Sequence, residues 1–277
     1  MVKLHVVCVA THSKSYFPIL LESCKRNNIK LHVLGFNEKW QGFVWRFKLM
    51  ISFLSTLPKN DIVMFIDAYD VIILKNYQTI LDRFQSFKTA ILLSKDGDTH
   101  GLHTLLYQKV FDKCGQHYIN AGSYMGYVFA LEKMFDKLCK VNNCNNYQLD
   151  DQKMLSSIHK DTKFFNKYIK IDTGNLIFLN IMVKHPLTTD TRVLIKNNKV
   201  VNNSKNKIEP CIIHAPGNGD LNPIAKLYNY QLVNINKPTL IQGLCNMLPL
   251  YIKFFYTEIL WLLLILGIIL KISKSKE

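Results

Sequence analysis

The stretch Val63–Leu74, VMFIDAYDVIIL, decides how this chain reads. Two carboxylates, Asp67 and Asp70, interrupt an otherwise apolar run. Ile62 to Ile66 is continuously apolar, the pattern of a strand covered on both faces. Working outward, the spacing predicts strands over Leu4 to Ala10, Leu31 to Gly35 and Ala90 to Ser94. Between them it predicts helices over Ser15 to Asn27, Phe43 to Leu57 and Tyr77 to Phe87, the second stopped by Pro58. This alternation implies an α/β domain with a mostly parallel sheet. Ligands in such sheets bind beyond the carboxyl ends of the strands, where Asp67 stands.

Inside a strand, Asp67 and Asp70 would point to opposite faces; in a turn they can converge on one cation. Charges beside so much apolar surface are costly unless they meet a metal or a cationic partner. Oxygen ligands suit Mg²⁺ or Mn²⁺. A divalent cation is what a nucleotide-sugar enzyme needs, because negative charge grows on its diphosphate leaving group. The plainer reading is a strand-end turn capped by acids. A second feature is the strand Cys211 to His214, followed by Gly217, Asn218 and Gly219 and then a helix over Ile224 to Leu232. His214 would complete a mixed O/N site favouring Mn²⁺, although a lone strand-end histidine is often structural. The glycines let backbone N–H groups approach a diphosphate, and Lys226 could meet a phosphate or stay solvated. The third feature is LDDQKML, in which Asp150 and Asp151 open a helix. They either complement the helix dipole or face the donor sugar and acceptor. The segment NAGSYMGY, with Asn120, Ala121 and Gly122, is Gly-punctuated and able to lie close to a ligand.

In this order FIDAYDVIIL, NAGSYMGY, DDQ and HAPGNG resemble the glycosyltransferase domains of procollagen lysyl hydroxylases and procollagen galactosyltransferases. GFVWRFKLMISFL, with Gly42 and Lys48, resembles the helix before that family's acidic motif. The resemblance covers roughly residues 3 to 232. It implies a GT-A-type fold: a Rossmann-like mixed sheet flanked by helices. It implies Mn²⁺ held with a UDP-sugar by Asp67, Asp70 and His214, and Tyr69 near the nucleotide. It further implies a donor pocket of Lys48, Asn120, Ala121, Gly122, Gly217, Asn218, Gly219 and Lys226, with transfer assisted by Asp150 and Asp151. One departure stands out: Ala215 and Pro216 separate His214 from the Gly-Asn-Gly run, which follows the histidine directly in the family. The donors suggested are UDP-glucose and UDP-galactose, and the acceptor a hydroxyl-bearing protein or glycan.

The 277 residues suit one large domain over 1–235 and an appendage over 236–277. The net charge of +15 favours anionic partners, although the Asn- and Lys-rich runs such as KNNKVVNNSKNK read more simply as a lysine-rich solubilising surface. No arginine-rich or base-stacking motif accompanies it, so nucleic acid is not expected. Seven cysteines, with no CxxC pair, suggest reduced thiols and a cytosolic catalytic domain, though Cys139 and Cys144 could pair if oxidised. The apolar run Ile259 to Leu270, followed by lysines, is expected to form a C-terminal hydrophobic helix that anchors the protein to a membrane by spanning it; the alternatives are a helix lying in the interface or one packed on a partner. Two other readings compete with the transferase. One is a catalytically degenerate transferase fold acting as a membrane-associated binding or scaffold protein. The other is a metal-dependent phosphohydrolase, for which ligands to a second metal are not evident.

Overall fold

The computed structural model describes residues 2–97, 108–114, 116–181, 194–202, 207–217, 219–235 and 240–274. They fall into two compact units: one within 2–235, the other made of 108–110 and 240–274.

The first unit begins as the periodicity predicts. Strand β1 (Leu4–Val9), helix α1 (Phe17–Arg26), β2 (Leu31–Leu34), α2 (Trp45–Leu54) and β3 (Ile62–Ile66) alternate. Then come β4 (Val71–Ile73), α3 (Tyr77–Ser86), β5 (Ile91–Lys95), β6 (Ile119–Tyr127) and α4 (Val128–Val141). Every residue of β3 is buried, as its unbroken apolar sequence requires. The main sheet has the order β2-β1-β3-β6-β5-β7, where β7 is Ile169–Asp172. β1 runs parallel to β2 and β3, and β7 parallel to β5. β6 lies antiparallel to both of its neighbours, so the sheet is mixed. Periodicity predicts a mostly parallel sheet, because pairing direction leaves no local pattern; the mixed sheet is the one the family resemblance implies.

Two short helices, α5 (Asp151–Ser156) and α6 (Thr162–Tyr168), lead into β7. A second, smaller sheet is formed by β4, β8 (Phe178–Asn180) and β11 (Ile212–His214), in the order β4-β11-β8. The pair β9 (Leu194–Lys196) and β10 (Lys199–Val201) forms a hairpin, and α7 (Asn222–Leu227) follows β11. Helix α7 is shorter than the sequence predicts and starts earlier, with Pro223 in its first turn. Two apolar clusters, one on each face, bury the main sheet: Phe47, Phe65, Tyr124 and Phe135 on one side, Phe17, Ile66, Phe84 and Phe178 on the other. Cys139 and Cys144 form a disulfide; Cys8, Cys24, Cys114, Cys211 and Cys245 are free thiols.

In the second unit, helix α8 (Leu240–Lys274) carries exposed apolar side chains from Leu260 to Leu266. Among the described residues, however, no helix is long and apolar enough to cross a membrane. A membrane-spanning tail, one of the readings of this segment, is therefore not supported; the interfacial reading concerns a helix that does not cross. Phe255 leaves helical geometry, at φ −124° and ψ 19°, and charged Lys253 and Glu258 flank that bend. The apolar run left beyond them falls well short of the roughly 20 residues a span needs.

Candidate metal centre

Asp67 is the first residue past β3, and its N–H donates to the Gly122 carbonyl of β6 at 2.7 Å. The turn Ala68–Tyr69 then carries the chain to Asp70, just ahead of β4. Asp70 accepts the Ala215 N–H through its own carbonyl at 2.9 Å. The third member arrives by tertiary pairing. β11 runs antiparallel to β4 with His214 opposite Val71, which sets the imidazole beside Asp70. His214 Nε2 lies 3.3 Å from Asp70 Oδ1 and 3.5 Å from Asp67 Oδ2. Among the described residues, these three form the one group whose ligand atoms could hold a metal ion, all within 4.8 Å of one another.

The electrostatics of the triad fit a cation. Burial opposes charge on His214, but Asp70 and Asp67 outweigh it and push its pKa up to about 10. Burial likewise opposes charge on Asp67, yet Arg46 and His214 hold its carboxyl below the usual range. His214 Nε2 is buried without a hydrogen-bond partner, a polar atom aimed at two carboxylates. Two carboxylate oxygens and an imidazole nitrogen are the donor set a divalent cation takes. Gly122 closes the floor: a Cβ there would lie 2.4 Å from His214 Cε1 and 2.5 Å from Asp67 Oδ2.

Residues 1–239 match the family model described as the PLOD GT domain. The chain belongs to this glycosyltransferase family. It is 27% identical over 232 residues to the "multifunctional procollagen lysine hydroxylase and glycosyltransferase" of Caenorhabditis elegans, covering 78% of this chain and 30% of that protein. It is 29% identical over 235 residues to the "procollagen-lysine,2-oxoglutarate 5-dioxygenase" of Drosophila melanogaster, again covering 78% and 30%. The chain thus spans about a third of the length of these curated relatives. Among solved structures, it is similar to the galactosyltransferase LgtC in complex with donor and acceptor sugar analogues. That likeness has a TM-score of 0.42 at 15% identity and covers 77% of this chain and 87% of that one.

Two clefts open on the triad of this PLOD-type domain. The first, of about 420 Å³, has Asp67 and Asp70 at one end and the rings of Trp40, Phe43 and Tyr69 along it. Tyr69 is pinned by its hydroxyl, which accepts the Thr11 N–H at 3.0 Å and donates to the His12 carbonyl at 3.2 Å. The second, of about 260 Å³, brings Asp150, Asp151 and Gln152 to His214, Asn120 and Gly122. Asn120 braces the backbone there: its Oδ1 accepts the Gly122 N–H at 2.8 Å. Ala121, buried beside it, also lines this cleft.

Asp150 and Asp151, although adjacent, do different things. Asp150 caps α5, accepting the Lys153 N–H at 3.0 Å. Asp151 is buried; that burial raises its carboxyl pKa, opposed by an ion pair with Arg46. Gly217 lines both clefts at φ +77°. The Gly219 N–H donates to the Ala215 carbonyl at 3.0 Å, and Asn218 lies outside the described residues. Lys48 and Lys226 are exposed and line neither cleft; Lys48 instead lies 5.7 Å from the centre of the Tyr147 ring.

Sequence reasoning missed Arg46. Its buried guanidinium joins Asp67 to Asp151 by two ion pairs and so links the two clefts. Burial opposes its charge, but the two carboxylates hold that charge more firmly than usual. The available signal was an arginine on the buried face of an apolar helix, beside Trp45 and Phe47.

Proposed function

We propose that this domain transfers a hexose from a UDP-sugar to a hydroxyl acceptor, with Mn²⁺ held by Asp67, Asp70 and His214. The observation that carries this reading is the buried Nε2 of His214, without a hydrogen-bond partner and 3.3 and 3.5 Å from the carboxylates of Asp70 and Asp67. The cation would supply charge neutralisation for the departing diphosphate. The chain's own residues do the rest. Trp40, Phe43 and Tyr69 offer flat walls to a nucleobase in the first cleft. Arg46 presents a fixed positive charge between the clefts, where negative charge grows as the sugar leaves. Asp151, held by Arg46, and Asp150 at the helix start face the second cleft, with room to orient sugar hydroxyls or the acceptor. The relatives' names suggest procollagen-like hydroxyl groups as the acceptor class, and the motif resemblance suggests UDP-glucose and UDP-galactose as the donors. The Cys139–Cys144 bridge favours an oxidising compartment for this domain over the cytosolic one.

The test is Mn²⁺-dependent UDP release by the purified chain across a set of UDP-sugars. Turnover is expected with one of them and is lost in Asp67→Asn and Asp70→Asn. Full metal-dependent turnover in either variant sinks the assignment.

A further inference from the structure

A histidine can ligate a cation through Nε2 only if that nitrogen has a free lone pair, so a proton must be kept on Nδ1. We propose that Asn180, at the end of β8, is the positioning residue that fixes this tautomer and thereby sets the preference of the site for Mn²⁺ over Mg²⁺. This inference rests on the metal reading of the triad given above.

The argument starts from an acceptor that cannot be reversed. The Lys95 main-chain carbonyl has no proton to give, and it lies 2.5 Å from the Asn180 amide nitrogen. That atom must therefore be the NH₂ group, which also reaches Ser94 Oγ at 2.6 Å. The other side of the amide is then necessarily the oxygen, and it meets His214 Nδ1 at 2.7 Å. An amide oxygen only accepts, so Nδ1 keeps a hydrogen in either charge state, and Nε2, which faces Asp67 and Asp70, is the nitrogen left to exchange its proton for a cation. Asn180 is 3% exposed and His214 1%, so water does not compete for these bonds.

Strand pairing explains why Asn180 is in place. β8 runs parallel to β11 with Asn180 opposite His214, so the two side chains leave the small sheet side by side. On the other flank, β5 shifts register against β6 between Leu93 and Ser94. A register break of this kind re-aims a strand's groups and is frequent beside active sites. Here Ser94 Oγ and the Lys95 carbonyl both reach the Asn180 amide. An oriented imidazole adds a nitrogen donor that suits Mn²⁺ better than the harder Mg²⁺, so the tautomer controls cation choice.

The experiment titrates Mn²⁺ by electron paramagnetic resonance in the full chain with UDP present, then competes it with Mg²⁺. In Asn180→Leu the acceptor is gone. Mn²⁺ affinity is expected to fall about 10- to 100-fold, the usual effect of losing a partner behind a metal ligand. Mg²⁺ affinity falls less, so the Mn²⁺/Mg²⁺ preference narrows. Asn180→Asp keeps the acceptor towards His214 and loses the donors towards β5. It is expected to unfold at a lower temperature yet keep the wild-type cation preference, an outcome that a purely structural role for Asn180 would not produce. A second measurement needs no folded variant at Asn180. In the Mg²⁺-loaded wild type, the ¹⁵N signals of His214, assigned by their loss in His214→Gln, are expected to show a protonated Nδ1. An unprotonated Nδ1, or wild-type Mn²⁺ preference in folded Asn180→Leu, overturns the role of Asn180 alone. Absence of any Mn²⁺ binding by the wild-type chain overturns that role and the metal reading together.

Discussion

Gly122→Ala is the most economical test of the triad, because it adds one methyl group at its floor. The new carbon would sit 2.4 Å from His214 Cε1 and 2.5 Å from Asp67 Oδ2. Ordinary contact needs about 3.5 Å, so one ligand must retreat by roughly 1 Å. Neither has room: His214 is held at Nδ1 by Asn180, and Asp67 is held by Arg46. Gly122 itself is fixed, since its carbonyl accepts the Asp67 N–H and its N–H donates to Asn120. Overpacking of this kind costs about 1–3 kcal/mol of folding stability. Coordination distances tolerate only about 0.2 Å, so the metal is affected far more than the fold. A loss of about 100-fold in Mn²⁺ affinity corresponds to ~2.7 kcal/mol. The assay is thermal unfolding with and without Mn²⁺ and UDP. At a Mn²⁺ concentration of about 100 times its dissociation constant, the wild type gains ~2.7 kcal/mol, whereas a variant weakened 100-fold gains only ~0.4 kcal/mol. A folded Gly122→Ala chain stabilised by Mn²⁺ as strongly as the wild type would refute the placement of the cation.

Three further outcomes are expected. Gly217→Ala has the opposite character: no atom lies within 4 Å of the added carbon, but φ is +77°. Thermal unfolding should therefore show about 1–2 kcal/mol of backbone strain, with the Mn²⁺ titration unchanged. Arg46→Met leaves Asp151 buried and unpaired, for an expected loss of about 3–5 kcal/mol at neutral pH. Because burial already raises the folded-state pKa of Asp151, charge on it is what destabilises, and the deficit should shrink as pH falls towards the unfolded carboxylate value of about 4. Denaturation of this variant from pH 7 down to pH 4 measures it. In the metal-free chain, the His214 proton contributes stability that is complete below its unfolded value of 6.5 and lost as pH rises through about 10. Mn²⁺ must displace that proton, so calorimetry in buffers of differing ionisation enthalpy should detect about one proton released near pH 8, with apparent affinity rising with pH.

The sequence by itself determined the alternation of strands and helices and the place of the acidic motif. Both are written in local spacing: an unbroken apolar run from Ile62 to Ile66 makes a doubly covered strand, and Asp67 marks where it meets the ligand edge. The ordered motifs also pointed to the family, and His214 to the metal. Tertiary structure decided what each motif residue touches. Only the pairing of β11 with β4 puts His214 at the carboxylates; a slip of one residue would put Ile213 there instead. Only the reversed strand β6 brings Gly122 under the ligands, which turns a glycine read as donor pocket into the floor of the metal centre. Arg46 and Asn180 carry no motif of their own, because their partners lie on strands and turns far away in the chain. The C-terminal helix follows the same rule in reverse: its composition suggested a membrane span, yet among the described residues no helix is long and apolar enough to cross. Periodicity is a property of neighbours in sequence, whereas a binding site is made by contacts between distant segments, and those exist only after strand order and register are set.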